Sequence, residues 1–252
     1  MKKLVLGSLL LAALVSQTTG CIITSDDDGS VELASIDAHW SFHNVNPDGT
    51  SLSPANPCPS GVDTVTLHTQ GVDARGALIG PPIEDRFDCV DMKHFSAPLE
   101  PGLYEASLSV SGSGGLYATS ISAIVDITDV DKIFTAKIVE NGGYFELGWD
   151  LRRGTSSTPI TCADLIAGKD RIGITATLVT NTSIFVPDDF DCELGEVFST
   201  FTSPVAKGTY DVAIEPVDSA GAAVGPSVVL QDKVMSDRNS ITNLGVVTLS
   251  FP

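Results

Sequence analysis

The chain has 252 residues, with 32 Asp+Glu against 14 Lys+Arg and a formal net charge of −18. Such a surface is a poor partner for nucleic acid, which needs its phosphates neutralised by Lys and Arg, and for direct docking on anionic lipid. Aromatic residues are only 6% of the chain, whereas Val, Ile, Thr, Ser and Gly are plentiful and long helical patterns are absent; that balance points to an all-β protein. The first twenty residues, MKKLVLGSLLLAALVSQTTG, read as a secretory signal peptide. Lys2 and Lys3 form its basic start, Leu4 to Val15 its apolar run, and Thr18, Thr19 and Gly20 its small-residue cleavage zone. Without Lys2 and Lys3, 12 Lys+Arg face the same 32 acids, a formal charge of −20 over residues 21–252.

Cys21 follows the small residues directly. Thr18-Thr19-Gly20-Cys21 resembles the lipobox of bacterial lipoproteins, departing from it at Thr18, where that family prefers Leu. The resemblance implies that Cys21 is acylated and becomes the mature N-terminus. Each buried acyl CH₂ contributes about 0.8 kcal/mol, so two or three chains anchor a protein to a bilayer almost permanently. Ile22 beside the lipid-bearing Cys implies, by the same resemblance, the outer membrane, with the domains facing the periplasm or the cell surface. Residues 21–31 hold SDDDGS, an acidic, self-repelling tether. Its residues 22–30 reach at most roughly 30 Å when extended.

Beyond the tether the sequence repeats itself. SIDAHWSFH (35–43) matches YFELGWDLR (144–152), GVDTVTLH (61–68) matches GKDRIGIT (168–175), and EDRFDC (84–89) echoes PDDFDC (187–192). Phe95 falls on Phe198, and PLEPGLYEASLSV (98–110) matches PVAKGTYDVAIEP (204–216). The order is kept while the offset drifts by a few residues, which indicates an internal duplication. Ile36, Ala38, Trp40 and Phe42 alternate with polar residues, as do Phe145, Leu147, Trp149 and Leu151 in the matching segment; period two with one apolar face predicts half-buried strands. Tyr104, Ala106 and Leu108 and their counterparts Tyr210, Val212 and Ile214 predict another pair. Turn signals at Pro98–Gly102, SGSGG (111–115), Pro204–Gly208 and DSAG (218–221) separate the runs. The expected fold is two tandem antiparallel β-sandwiches, 32–140 and 141–252. TDVDKIFTAKI (128–138) and NLGVVTLSF (243–251) would be their closing strands. The competing reading takes Asn141-Gly142 as a hairpin turn inside one domain, and a boundary near 130 is a further alternative.

Five cysteines are odd in number, and lipidation of Cys21 leaves four. Their separations and the duplication favour Cys58–Cys89 and Cys162–Cys192 among the three possible connectivities, in an oxidising compartment. The duplicated Phe-Asp-Cys is then structural, with Phe87 and Phe190 contributing to a core.

Each repeat resembles the immunoglobulin-like or transthyretin-like sandwiches of bacterial envelope lipoproteins, through Gly102-x-Tyr104 and Gly208-x-Tyr210, the early Trp and the Cys pair. Trp40 and Trp149 precede both cysteines of their repeats, whereas in immunoglobulin domains the Trp lies between them. The resemblance implies a structural or adhesive role and names no partner.

Signals for chemistry are sparse. His39 and His43 share one strand face, and with His68 or His94 they invite a zinc site; their counterparts Gly148 and Arg152, and Thr175 for His68, favour ordinary surface instead. Acidic clusters recur at Asp26–Asp28, at Asp126, Asp129 and Asp131, and at Asp188, Asp189 and Asp191. None matches an EF-hand loop, and the Asp126/Asp129/Asp131 group is the candidate for calcium between domains. No nucleophile elbow, zinc-protease motif or phosphate loop is present. The expectation is a non-enzymatic, cofactor-free protein, anchored through Cys21 to a bilayer, that binds an unspecified protein or glycan. A calcium-assisted carbohydrate-binding module is the alternative, and a hydrolase would require a deep pocket with perturbed titratable groups.

Overall fold

The computed structural model describes residues 32–49, 51–128, 130–154, 158–164, 171–197 and 200–251. Residues 1–31, which hold the expected signal peptide, Cys21 and the expected acidic tether, lie outside the described residues, as do Asp129 and Phe198.

Alternating apolar residues turn one side of each strand inward, as in β1 (Ile36–His43), where Ile36, Ala38, Trp40 and Phe42 are buried and the intervening residues are not. The chain continues through β2 (Val62–Val72), β3 (Leu78–Asp88), β4 (Lys93–Phe95), β5 (Gly102–Gly112), β6 (Gly115–Thr119), β7 (Ala123–Ile127) and β8 (Lys132–Val139). After residues 140 and 141 come β9 (Gly142–Arg153), β10 (Thr158–Ile160), β11 (Arg171–Leu178), β12 (Phe185–Asp191), β13 (Thr200–Phe201), β14 (Val205–Ala206), β15 (Gly208–Val217), β16 (Val228–Met235) and β17 (Ser240–Phe251). Among the described residues one short α-helix, α1 (Cys192–Val197), interrupts them.

The described strands form four sheets. In residues 32–139 the sheet β4-β1-β8 lies over β3-β2-β5-β6, with β7 also on β5. Between them sits a core of Trp40, Phe42, Val65, Leu67, Leu108, Phe134 and Ile138 with their neighbours. In residues 142–251, β9 carries β10, β13, β14 and β17, and faces β12-β11-β15-β16. The second core holds Phe145, Leu147, Trp149, Ile172, Ile174, Ile214 and Leu249. The all-β expectation holds, with one addition that periodicity does not reveal. β1 pairs with β8, and β9 with β17, in parallel; the other described ladders are antiparallel. The first strand of each half is thus zipped to that half's last strand. β8 and β9 belong to different sheets and do not pair with each other across residues 140–141. By its contacts, Glu32–Pro252 is a single compact unit.

Two disulfides, Cys58–Cys89 and Cys162–Cys192, close loops with separations of 31 and 30 residues. The indole N–H of Trp40 donates to the Cys89 carbonyl at 2.9 Å, and that of Trp149 to the Cys192 carbonyl at 2.7 Å. Each Trp therefore reaches its half's disulfide from the first strand. Gly195 lets α1 lie on the Trp149 ring, because a Cβ there would fall 2.5 Å from the indole carbons. The Gly-x-Tyr motifs also gain a reason: Tyr104 OH donates to the Glu100 carbonyl and Tyr210 OH to the Ala206 carbonyl, at 2.9 and 2.8 Å. Both tie the strand back to the turn four residues upstream.

The acidic runs before Phe-Asp-Cys have a structural use. In the first half the Asp85 carboxylate accepts the Ala97 N–H at 3.2 Å. In the second, Asp188 accepts both the Ser203 N–H at 2.8 Å and its hydroxyl at 2.6 Å. The other two acids of that run bind Arg171, Asp189 at 2.7 Å and Asp191 at 3.1 Å. Burial raises the Asp188 pKa above the usual carboxylate value, against the lowering effect of the Ser203 bonds. A carboxyl with a raised folded-state pKa binds more protons folded than unfolded, so its contribution to stability is full below pH 3.8. It is lost as pH rises through the folded value. Asp188→Asn, which keeps both contacts in neutral form, is expected to be at least as stable as the parent at pH 7 and to lack this component of the acid-range slope. Asp188→Ala is expected to lose about 1–2 kcal/mol with both bonds gone. Urea unfolding at several pH values between 3 and 7, compared with the parent chain, measures both.

Candidate functional site at the junction of the two halves

The chain crosses between sandwiches at Glu140-Asn141-Gly142-Gly143. The two glycines are required by crowding: a Cβ on Gly142 would stand 1.9 Å from the Val205 carbonyl oxygen, and one on Gly143 1.9 Å from that of Ser240. β9 therefore begins wedged between β14 and β17. Asn141 clasps the backbone of Val45 in both directions, accepting its N–H at 2.7 Å and donating to its carbonyl at 3.0 Å. The Glu140 carboxylate accepts Asn56 Nδ2 at 2.9 Å and the Tyr117 hydroxyl at 3.4 Å.

The second half reaches back through the turn between β16 and β17. Arg238 and Asn239 adopt left-handed backbone, with φ of 59° and 55°, a conformation Asn accepts more readily than most residues. The Arg238 N–H donates to the Glu140 carbonyl at 2.9 Å, and its guanidinium lies 5.3 Å over the Tyr117 ring. Asn239 is buried, at 2% exposure. Its side-chain oxygen accepts the Val139 N–H and its amide donates to the Thr119 carbonyl, both at 2.7 Å. Beneath these bonds Val45, Val139 and Tyr144 form a small third core with Leu52, Ile121, Phe201 and Ala206 around it. Burial pushes the Tyr144 phenol up to about 12, so the joint holds a neutral hydroxyl throughout the physiological range. Burial, then the Glu140 charge, raises Tyr117 as well.

Beside this joint runs a groove of about 640 Å³. Val72 and Leu78 of the β2–β3 hairpin, Leu103 of β5, Ile124 of β7 and Phe201 of β13 give it an aliphatic and aromatic floor. Asp73, Glu105 and Glu146 supply the charge, and no Lys or Arg lines it among the described residues. Two of those carboxylates are engaged. Asp73 accepts the N–H groups of Arg75 and Ala77, and Glu146 accepts the Asn243 amide at 2.8 Å. The Glu105 carboxylate has no hydrogen bond or ion pair among the described residues. Leu78, Leu103 and Ile124 are 51%, 38% and 57% exposed, although all three are apolar.

The residues singled out from sequence for chemistry are dispersed. His39 Nε2 stands 3.0 Å from Asp37, but at an angle that makes no hydrogen bond. His43 binds the Ser41 hydroxyl and the Ser53 carbonyl, at 2.8 and 2.9 Å. His68 binds the Ser109 hydroxyl at 2.7 Å, and His94 stacks on Phe87 with ring centroids 4.5 Å apart. Among the described residues no three His, Cys, Asp or Glu side chains gather where a metal could sit. Asp131 accepts the Ser35 N–H at 2.7 Å, fastening the start of β1, while Asp126 is exposed on β7 beside Leu103. Among the described residues, no helix is long and apolar enough to cross a membrane.

No known family profile and no curated protein matches the chain. Solved structures do. The minor pilin GBS52 of Streptococcus agalactiae is 9% identical, with a TM-score of 0.30 over 88% of this chain and 96% of its own. The fimbrial anchor protein Mfa2 of Porphyromonas gingivalis is 13% identical, with a TM-score of 0.28 over 81% of this chain and 82% of its own. A candidate adhesin from Bacteroides ovatus is 13% identical, with a TM-score of 0.25 over 84% and 89%. At such scores the likeness is one of β-rich architecture and does not bear on what this chain does.

Asn239 and Glu105 escaped the sequence reading, and Asn141 entered it only as a possible hairpin turn. Only Asn141 carried a signal, in the Gly-Gly that follows it. The partners of Asn239 lie 100 and 120 residues away.

Proposed function

We propose that this chain is a non-enzymatic envelope lipoprotein, tied through acylated Cys21 to the outer membrane and presenting two duplicated β-sandwiches, 32–140 and 141–252, for contact with other proteins. The observation that carries the reading is the exposed apolar groove beside the junction, which offers a contact surface held in place by the Asn141 and Asn239 bonds. An open groove floored by aliphatic side chains suits recognition of another surface. The lipobox-like Thr18-Thr19-Gly20-Cys21 supports the anchor, and the paired Trp–Cys carbonyl and Tyr-to-turn bonds of the two halves support the duplication. The test is a pull-down from the native envelope with the lipid-bearing chain, combined with surface-accessibility labelling. Specific capture of an envelope protein, together with an acylated N-terminus by intact mass, is the expected result. Chelator-sensitive binding on a glycan array would instead establish the carbohydrate-binding alternative.

A further inference from the structure

We infer that the groove between the halves is a docking site for an extended, cationic segment of a partner protein, one in which Lys or Arg alternates with aliphatic side chains. The inference rests on the protein-contact reading above and adds to it the surface and the chemistry of the partner. Two features of the groove specify the occupant. Its floor is apolar: Leu78, Leu103 and Ile124 are exposed there, beside the partly buried Phe201 and the buried Val72. Its charge among the described residues is of one sign: Asp73, Glu105 and Glu146 contribute carboxylates, and no described basic residue lines the space. Glu105 faces the groove from β5, directly across from Ile124 of β7. An ammonium or guanidinium reaching Glu105 would meet an acid with no competing partner among the described residues, while neighbouring aliphatic groups covered Leu103 and Ile124.

A strand-like peptide sends successive side chains to opposite faces. Alternating basic and aliphatic residues would therefore present one chemistry to the floor and the other to the rim. The groove's volume of about 640 Å³ lies within the range that ligand sites occupy. A second copy of this chain fits poorly, because residues 21–252 carry 32 acids and only 12 basic residues and two copies repel.

The test uses the chain from Cys21 to Pro252 with a fluorescein-labelled Leu-Lys-Val-Lys-Leu peptide, and the same peptide with Glu in place of Lys. Fluorescence anisotropy is expected to show saturable binding of the Lys peptide, weakened by added salt, and none of the Glu peptide. Glu105→Gln with Glu146→Gln is expected to weaken binding about tenfold or more, the range of a lost desolvated charge contact, and Ile124→Ser to weaken it as well. Asp91→Asn with Glu193→Gln removes the same charge from exposed positions beside the disulfides and is expected to change the affinity less than twofold. These substitutions are at surface or half-buried positions, and an unchanged melting temperature checks that each variant is folded. Equal weakening by both pairs of substitutions would reduce the effect to net charge and overturn the inference. So would equal binding of the Glu peptide, or dimerisation that the groove substitutions abolish. If the Lys peptide fails to bind while the envelope pull-down still captures a partner, the groove assignment falls and the broader protein-contact role stands.

Discussion

Replacing Cys58 and Cys89 together by serine is expected to lower the unfolding free energy by about 3–4 kcal/mol. In the chain-entropy picture this is what closing a loop of about 30 residues contributes through the unfolded state. Each half carries one Trp, and each indole donates to the carbonyl of a bridged Cys, Trp40 to Cys89 and Trp149 to Cys192. Tryptophan fluorescence therefore reports locally. In a Trp40→Phe background the remaining Trp149 follows the second core, and in a Trp149→Phe background Trp40 follows the first. Urea titrations of the serine pair in both backgrounds are expected to show the same downward shift in midpoint, because the junction bonds and the small third core join the two sandwiches. A shift confined to the Trp40 signal would mean that the halves unfold separately. No shift in either would mean that the bridge contributes nothing to stability.

Asn239→Ala is the second large effect. Truncation leaves the Val139 N–H without its partner in a buried place and the Thr119 carbonyl without its partner in a part-buried one. The stranded buried N–H costs about 1–3 kcal/mol and the part-buried carbonyl about 1 kcal/mol, and the left-handed backbone at φ 55° costs Ala about 1 kcal/mol more. The expected loss is about 3–5 kcal/mol in total, summing those contributions. Asn239→Gly keeps the backbone conformation and loses only the two side-chain bonds, so the difference between the variants isolates the strain. Thermal unfolding gives the energies. Small-angle scattering at a temperature where both variants remain folded checks the geometry: a broader distribution of lengths is expected once the turn no longer grips Val139 and Thr119. A variant with parental stability and an unchanged scattering profile would show that the Asn239 bonds do not hold the halves together.

The strands were legible because their signal is local. Ile36-Asp37-Ala38-His39-Trp40 announces one buried face within five residues, and the structure buries that face. Tyr104 and Tyr210 marked the openings of strands for the same reason, but their hydrogen bonds to Glu100 and Ala206 depend on turn geometry that a pattern of residue types does not contain. Acidic residues misled most readily. Asp188, Asp189 and Asp191 look like a cation site on paper, yet in the fold they are taken up by Ser203 and Arg171. Asp131, grouped by sequence with Asp126, instead caps the backbone of Ser35, which is 96 residues away.

By itself the sequence determined that this is an all-β chain of alternating, half-buried strands, since a period of two needs only neighbouring residues to be expressed. Tertiary structure alone decided the parallel pairing of first and last strands, the clasp of Asn141 on Val45 and of Asn239 on Val139, and the groove in which Glu105 meets Ile124. Those features join residues roughly 20 to 120 positions apart, and only the folding of the chain sets such distances.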